Sequence, residues 1–306
     1  MHTDNSLRRL LKQIDKVFDI NDIKKLQPDN AYIQRYYKLS SLGYTYFHDS
    51  ADVVHMGISR SGVYHHDDLY EPERLIEKYI TDKRARRVLE LATGRGASCQ
   101  YLSTRHPEVG FDGIELSPAH LKLARRKAKR LSNYRPVEGD YSDLSRYRDN
   151  SFDIVFVIEA LCYSMDKSKV FAEVKRILKK EGVFIIVDGY RMRSASRMTA
   201  DEQLACELTE KTMALNVFEE YRSVMDKARK LGYRKVYSEN TSEATQPTLR
   251  RFESLARKFF KRPLRAKLLK FCLPRILVYN AVAGYLMPTV VKQGLLGHHI
   301  DVLQIN

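Results

Sequence analysis

Glu90 stands inside an apolar run, Val88-Leu89-Glu90-Leu91, that leads into Ala92-Thr93-Gly94-Arg95-Gly96. A carboxylate at a strand end can draw in a cationic group such as an α-amino group. The glycines after it let the backbone approach a ligand closely and offer it N–H groups. Glu115 ends the next apolar run nineteen positions after Gly96, where an acid can accept from two ribose hydroxyls. Gly139-Asp140-Tyr141 follows at the third crossover. There Asp140 can accept from an exocyclic amine and Tyr141 can lie against a purine face. The three acids together describe a ligand with an amine, a ribose and an adenine. A nicotinamide dinucleotide is the rival ligand. Its fingerprint asks for a third glycine where Cys99 stands, and Glu90 would repel a pyrophosphate.

Alternating strands and helices must position these groups. Apolar runs at 87–91, 111–116, 136–140, 152–158 and 183–188 read as strands. Helical stretches separate them: one through Leu102, 119–131 behind Ser117-Pro118 as cap and first-turn proline, and 167–179. A further helix at 215–231 ends at Gly232, and 233–238 reads as a sixth strand. The last strand, 300–305, is expected to pair antiparallel at the sheet edge. Such an order predicts an α/β Rossmann-like fold with a seven-stranded, mostly parallel sheet. Residues 1–80 read as a helical N-terminal cap, with a helix at 71–80. Residues 81–240 and 298–306 form the core, and 241–297 a basic amphipathic helical insertion before the last strand.

The motifs together resemble a known family. Residues 88–96, Gly113-Ile114-Glu115-Leu116-Ser117, Gly139-Asp140 and Phe152-Asp153-Ile154-Val155 look like the successive motifs of class I S-adenosylmethionine-dependent methyltransferases, over about a third of the chain. Ala92 stands where the first motif often has glycine. The resemblance implies S-adenosylmethionine as cofactor, held by Tyr37, Glu90, Ala92, Gly94, Gly96, Glu115, Leu116, Gly139, Asp140, Tyr141 and Ile158. A closer likeness comes from Ile158-Glu159-Ala160-Leu161-Cys162-Tyr163, similar to the Glu-Ala-x-Cys-His segment of sterol, terpenoid and other small-molecule C-methyltransferases. Tyr36-Tyr37-Lys38-Leu39 and His55-Met56-Gly57 likewise resemble their Tyr-Tyr-Asp-Leu and His-Phe-Gly segments. Here Tyr163 replaces a histidine and Lys38 an aspartate.

Methyl transfer from a sulfonium needs alignment, desolvation and a sink for one proton. Glu159, at the carboxyl end of the fourth strand, is the candidate catalytic group, as base or as stabiliser of a developing cation. An equal reading gives it only cofactor binding or loop ordering. Tyr36, His55, Met56, Cys162, Tyr163 and Tyr190 are the candidates for the acceptor pocket, and cap tyrosines, Tyr44 and Tyr46 among them, could line it.

A formal charge of +15 on 306 residues suggests contact with something anionic. The expected acceptor is a small apolar molecule, a terpenoid, sterol, quinone or lipid, drawn from a membrane that residues 249–275 could touch. A solvated lid helix is the plainer account of that segment. An RNA methyltransferase is the alternative, against which stands the lack of an Asn-Pro-Pro-Tyr-type segment or an appended RNA-binding module. A non-catalytic partner-binding protein is a third, and self-association stays open. The apolar stretch 276–291 is too short and too interrupted to span a bilayer. Four dispersed cysteines and no secretory signal suggest the cytoplasm. His65-His66 and His298-His299 lack ligand spacing on a helix face, so surface or structural roles are expected, and no metal.

Overall fold

The computed structural model describes residues 4–47 and 52–305. Its sheet has seven strands: β1 Arg87–Leu91, β2 Gly110–Glu115, β3 Tyr134–Glu138, β4 Phe152–Ile158, β5 Leu178–Arg191, β6 Tyr233–Asn240 and β7 Leu296–Ile305. Their spatial order is β3-β2-β1-β4-β5-β7-β6. The first five run parallel, and β7 lies antiparallel to both β5 and β6. The reversal of strand order between β1 and β4 opens a crevice at their carboxyl ends, where ligands of such sheets bind.

One expectation is corrected here. The last strand does not form the sheet edge; it runs between β5 and β6, and it begins at Leu296. Nine of its residues, from Leu296 to Gln304, are buried, so it is covered on both faces and flanked on both sides. The apolar run 300–305 that marked the strand in the sequence is only its second half.

Alternate residues of the central strands send side chains to opposite faces. Leu89, Val155, Val157, Phe184 and Ile186 pack under α7 (Lys167–Ile177) and α9 (Tyr221–Lys230) through Phe171, Val174 and Val224. Val88, Ile154, Phe156 and Ile185 pack under α4 (Glu71–Asp82) and α5 (Ala97–Arg105) through Ile76, Ile80 and Leu102. The helix assigned to the end of the cap therefore covers the sheet itself.

The remaining helices are α1 Asp4–Asp15, α2 Ile20–Lys24, α3 Asn30–Phe47, α6 Pro118–Ala128, α8 Ala200–Thr212, α10 Ser242–Phe260, α11 Pro263–Cys272 and α12 Arg275–Lys292. The amphipathic α1 and α2 lay Leu7, Leu11, Ile14 and Ile23 into one cluster with Leu208, Leu249, Phe260, Val282 and Leu286. The N-terminal and C-terminal helices thus share a single core. Separated by more than two hundred residues, neither segment could bury its apolar stripe alone. The stretch 276–291 is inside this cluster as α12, and no helix among the described residues is long and apolar enough to cross a membrane.

Candidate active site

A cleft of about 1020 Å³, open mouth included, lies over the carboxyl ends of β1, β4 and β5. Eleven of the predicted residues line it: Tyr36, Tyr37, His55, Met56, Glu90, Ala92, Gly94, Ile158, Glu159, Cys162 and Tyr163. They come from α3, the segment before α4, β1, β4 and the turn after it, so the sheet and the N-terminal segment are both needed to assemble them.

The backbone is bent where β1 and β4 enter the cleft. Ala92 has φ +53° and Glu159 φ +47°, both in the left-handed region that residues with a Cβ seldom occupy. Such conformations cost on the order of 1–3 kcal/mol and persist only where the surroundings fix them. The glycine that often stands at the Ala92 position thus has its reason in this structure. Gly94 and Gly96 complete the turn at φ +56° and +76°. A Cβ on Gly96 would lie 3.1 Å from Ala124 and 2.8 Å from the Tyr134 hydroxyl, so α6 and β3 leave the turn with no room for a side chain.

Glu159 is the best-held group in the cleft. Its Oε1 accepts from the Met56 N–H at 2.8 Å and contacts His298 Nε2 at 3.2 Å. Burial would raise its pKa, but the hydrogen bond and charge of His298, the charge of His55 and the Met56 N–H outweigh it. The carboxyl is held below its ordinary value and stays ionised. His298 is in turn held through Nδ1 by the Thr241 hydroxyl at 2.7 Å. His55 Nε2 lies 3.2 Å from Glu73 Oε1, with Glu73 fully buried. Burial lowers the pKa of His55, yet the charges of Glu73 and Glu159 and the Glu73 hydrogen bond lift it to about 9. Glu73 is thereby paired with an imidazolium, and the Glu159 charge is left facing the cavity. An ionised carboxylate in the cavity wall can attract a cationic ligand.

Glu90, at the other side of the cleft, accepts from the Thr93 hydroxyl. Burial pushes its pKa up to about 7, against the hydrogen bonds from Thr93 and Cys99. A cationic amine beside it would draw it back to the ionised form. Asp188 lines the cleft from β5; burial raises it to about 6, against the N–H groups of Gly189 and Cys162 that it accepts from.

The remaining cofactor candidates form the rim next to this cleft. Glu115 accepts from the Gly94 N–H and the Ser117 N–H, each at 2.7 Å, so its carboxylate joins the glycine turn to the start of α6. The Leu116 N–H is a third donor to it, and the carboxylate retains acceptor capacity for a hydroxyl. Leu116 beside it is 38% exposed, an open apolar surface suited to a base. Gly139 N–H bonds to the Glu115 carbonyl, and a Cβ there would meet Ile114 at 2.9 Å. Asp140 closes an Asx turn on the Ser142 N–H, and the Tyr141 hydroxyl donates to the Ala160 carbonyl. The chemistry of these groups is compatible with S-adenosylmethionine: Glu90 could meet its amine, Glu115 its ribose, Asp140 and Leu116 its adenine, and Glu159 its sulfonium.

Tyr190 departs from expectation. Its ring lies on the face of β5 that carries Phe184 and Ile186, where it packs edge-on against Tyr221 and His299 and is 2% exposed. It is part of the core and lies outside the cleft lining. The side chains of Tyr44 and Tyr46 lie outside the described residues.

Sequence reading missed His298 as a site residue. It sits on β7 opposite Gly189, whose missing side chain makes room for the Phe218 ring, 2.9 Å from where a Cβ would lie. His298 is 2% exposed. The signal was present as strand alternation, since neighbouring residues of β7 face opposite sides: His298 turns to Glu159 while His299 stacks on Tyr221 at 4.2 Å between ring centroids. The cleft also takes Asp52, Met213, Phe218, Met287 and Val291, which carry no local motif. Asp52 pairs with Arg95 of the glycine turn at 3.0 Å and with Lys127 of α6 at 3.2 Å, fixing the chain before His55 to the core. Among the described residues no group of three or more His, Cys, Asp or Glu side chains could hold a metal ion.

Residues 89–186 match the methyltransferase domain family. The chain is 32% identical over 106 residues to a sterol methyltransferase-like 3 protein of Botryococcus braunii, 34% of this chain and 26% of that one. It is 35% identical over 109 residues to a probable phthiotriol/phenolphthiotriol dimycocerosates methyltransferase 2 of Mycobacterium ulcerans, 35% of this chain and 41% of that one. The matched region thus spans well under half the length of either relative. A putative sarcosine dimethylglycine methyltransferase from Galdieria sulphuraria superposes with a TM-score of 0.70 at 18% identity, over 88% of this chain and 97% of that one. Residues 89–186 thus resemble a methyltransferase domain, and the chain shares its fold with that solved structure.

Proposed function

We propose that this protein transfers a methyl group from S-adenosylmethionine to a small, largely apolar acceptor. One observation carries the reading: an ionised Glu159, hydrogen-bonded to His298 and to the Met56 N–H, stands at the end of β4 in a cleft whose other wall is Tyr36, Met56, Met213, Phe218, Met287 and Val291. The relatives named for sterols and phthiotriols support the acceptor class.

S-adenosylmethionine supplies an electrophilic methyl on a cationic sulfur. Glu90 would orient its amino-acid end, and Glu115 its ribose. The apolar wall excludes water, which strengthens every charge inside. Methylation of a carbon leaves a cationic centre that must lose a proton, and Glu159 Oε2 is the oxygen free to take it, while Oε1 stays bound to Met56 and His298. General bases of this kind contribute about 10²–10⁴ in rate. His298 keeps the carboxylate aimed, and Tyr36 and Tyr37, packed edge to face at 5.2 Å, offer aromatic surface to a cation.

The test is incubation of the purified protein with methyl-labelled S-adenosylmethionine and fractionated cell extract. Label is expected in the apolar small-molecule fraction, and its entry is expected to be lost in Glu159→Gln. Label in RNA or protein alone, or binding of the cofactor with no label transferred to any fraction, overturns the proposal.

A further inference from the structure

Helix α11 is apolar on the side that faces solvent. Ala266, at the centre of its inward face, is buried against the helical core. At 100° per residue Leu264, Leu268 and Phe271 lie opposite Ala266, within about 40° of one another's mean direction. They are 85%, 64% and 83% exposed, among the most exposed large apolar side chains described. Leu273, at the end of the helix, is 40% exposed. Arg265 and Lys267 project from the two flanks of this ridge, about 100° either side of Ala266.

Charge singles out the same surface. No acidic residue occurs between Glu253 and Asp301, while Arg257, Lys258, Lys261, Arg262, Arg265, Lys267, Lys270 and Arg275 crowd into 257–275. Lys258, Lys261, Arg262, Arg265 and Lys267 make no ion pair among the described residues, so their charges are available to a partner. A contiguous exposed apolar ridge on a folded domain marks an interaction surface. Flanking cations with no acids define what it meets: an anionic surface with an apolar layer beneath.

We propose that α11, with the basic ends of α10 and α12, docks the protein on an anionic phospholipid bilayer. Leu264, Leu268 and Phe271 enter the acyl boundary, and Arg262, Arg265 and Lys267 pair with headgroups, their aliphatic stems lying along the ridge. A second copy of the chain would set these cations against themselves, and a nucleic-acid backbone would leave the ridge in water. The fold gives the position a use. Asn280, five residues along α12 from Arg275 and so about 7.5 Å from its start at 1.5 Å per residue, accepts from the Tyr36 hydroxyl at 2.7 Å, and Tyr36 lines the cleft. Docking therefore sets the α3–α12 wall of the cleft close to the bilayer. The docking itself is independent of any methyl transfer.

The test is flotation of the full-length protein with phosphatidylcholine vesicles, with and without phosphatidylglycerol. Binding is expected only with the anionic lipid, weakening as salt rises. The triple variant Leu264→Ser/Leu268→Ser/Phe271→Ser alters only exposed positions and is expected to keep the wild-type near-ultraviolet dichroism and cofactor affinity while binding at least about tenfold more weakly. Arg262→Gln/Arg265→Gln/Lys267→Gln is expected to lose about fivefold per cation. Equal binding to neutral vesicles, or undiminished binding by a folded apolar triple variant, overturns the proposal. So does a ridge-dependent dimer, or salt-sensitive RNA binding, without vesicle binding.

Discussion

Removing His298 should cost stability through Glu159, and the part that belongs to their pair can be isolated. The contact is 3.2 Å long, between a histidine that is 2% exposed and a carboxylate that is 21% exposed toward the cleft. A hydrogen bond to a charged group contributes about 1.5–3 kcal/mol. The partial exposure of Glu159 admits solvent screening, so the lower end, about 1.5 kcal/mol, is expected. A double-mutant cycle of His298→Ala and Glu159→Gln measures it, using urea unfolding at several pH values. Glu159 has a depressed folded pKa, so its stabilisation is present above the unfolded value of 4.5 and is lost as pH falls through the lower folded value. The coupling should be present at neutral pH and be lost in acid as Glu159 takes up its proton. A coupling under about 0.5 kcal/mol at neutral pH, within the ordinary error of additivity, refutes the assignment of His298 as the group that holds this carboxylate.

Three further outcomes follow from the same site. Glu90, raised to about 7, must ionise to hold an amine, so affinity for S-adenosylmethionine by calorimetry should rise between pH 5.5 and 7. In Glu90→Gln it should be weaker by about tenfold or more and flat over that range. The His55–Glu73 pair contributes stability fully below the unfolded histidine value of 6.5, and that contribution fades as pH climbs through about 9. His55→Ala, which strands a fully buried carboxylate, should cost about 3–5 kcal/mol in chemical unfolding, and adding Glu73→Gln should restore part of it. At Ala92, with φ +53°, glycine should be neutral or stabilising by up to about 1 kcal/mol. Valine, β-branched in a left-handed position, should destabilise by about 1–3 kcal/mol, read as a shift in urea midpoint at constant slope.

Much of the cofactor side was legible because it is local. Glu90, the glycine turn, Glu115 and Gly139-Asp140 each end a strand of a repeating unit, and the alternation of apolar runs with helices determines that these ends meet on one side of a parallel sheet. The turn chemistry is written in the same few residues: positive φ at Gly94 and Gly96 and the proline at the start of α6.

The acceptor side was decided by packing across long separations. Nothing near His298 in the chain announces that it meets Glu159, 139 positions away. That contact exists because β7 inserts between β5 and β6, which sets His298 opposite Gly189, and a strand's register is fixed by what its two faces must bury. Tyr190 went into the core, edge-on to Tyr221 and His299, and not into the cleft lining. Likewise the cap and the insertion had to be seen folded before they became one helical layer, since the apolar stripes of α1 and α12 complete each other only in three dimensions. The sequence by itself determined the parallel core of the sheet and the acidic residues at its strand ends, because those depend on neighbours a turn or a strand away. Which histidine steadies Glu159, and how a lid of distant helices leaves α11 with its apolar side outward, are results of tertiary burial.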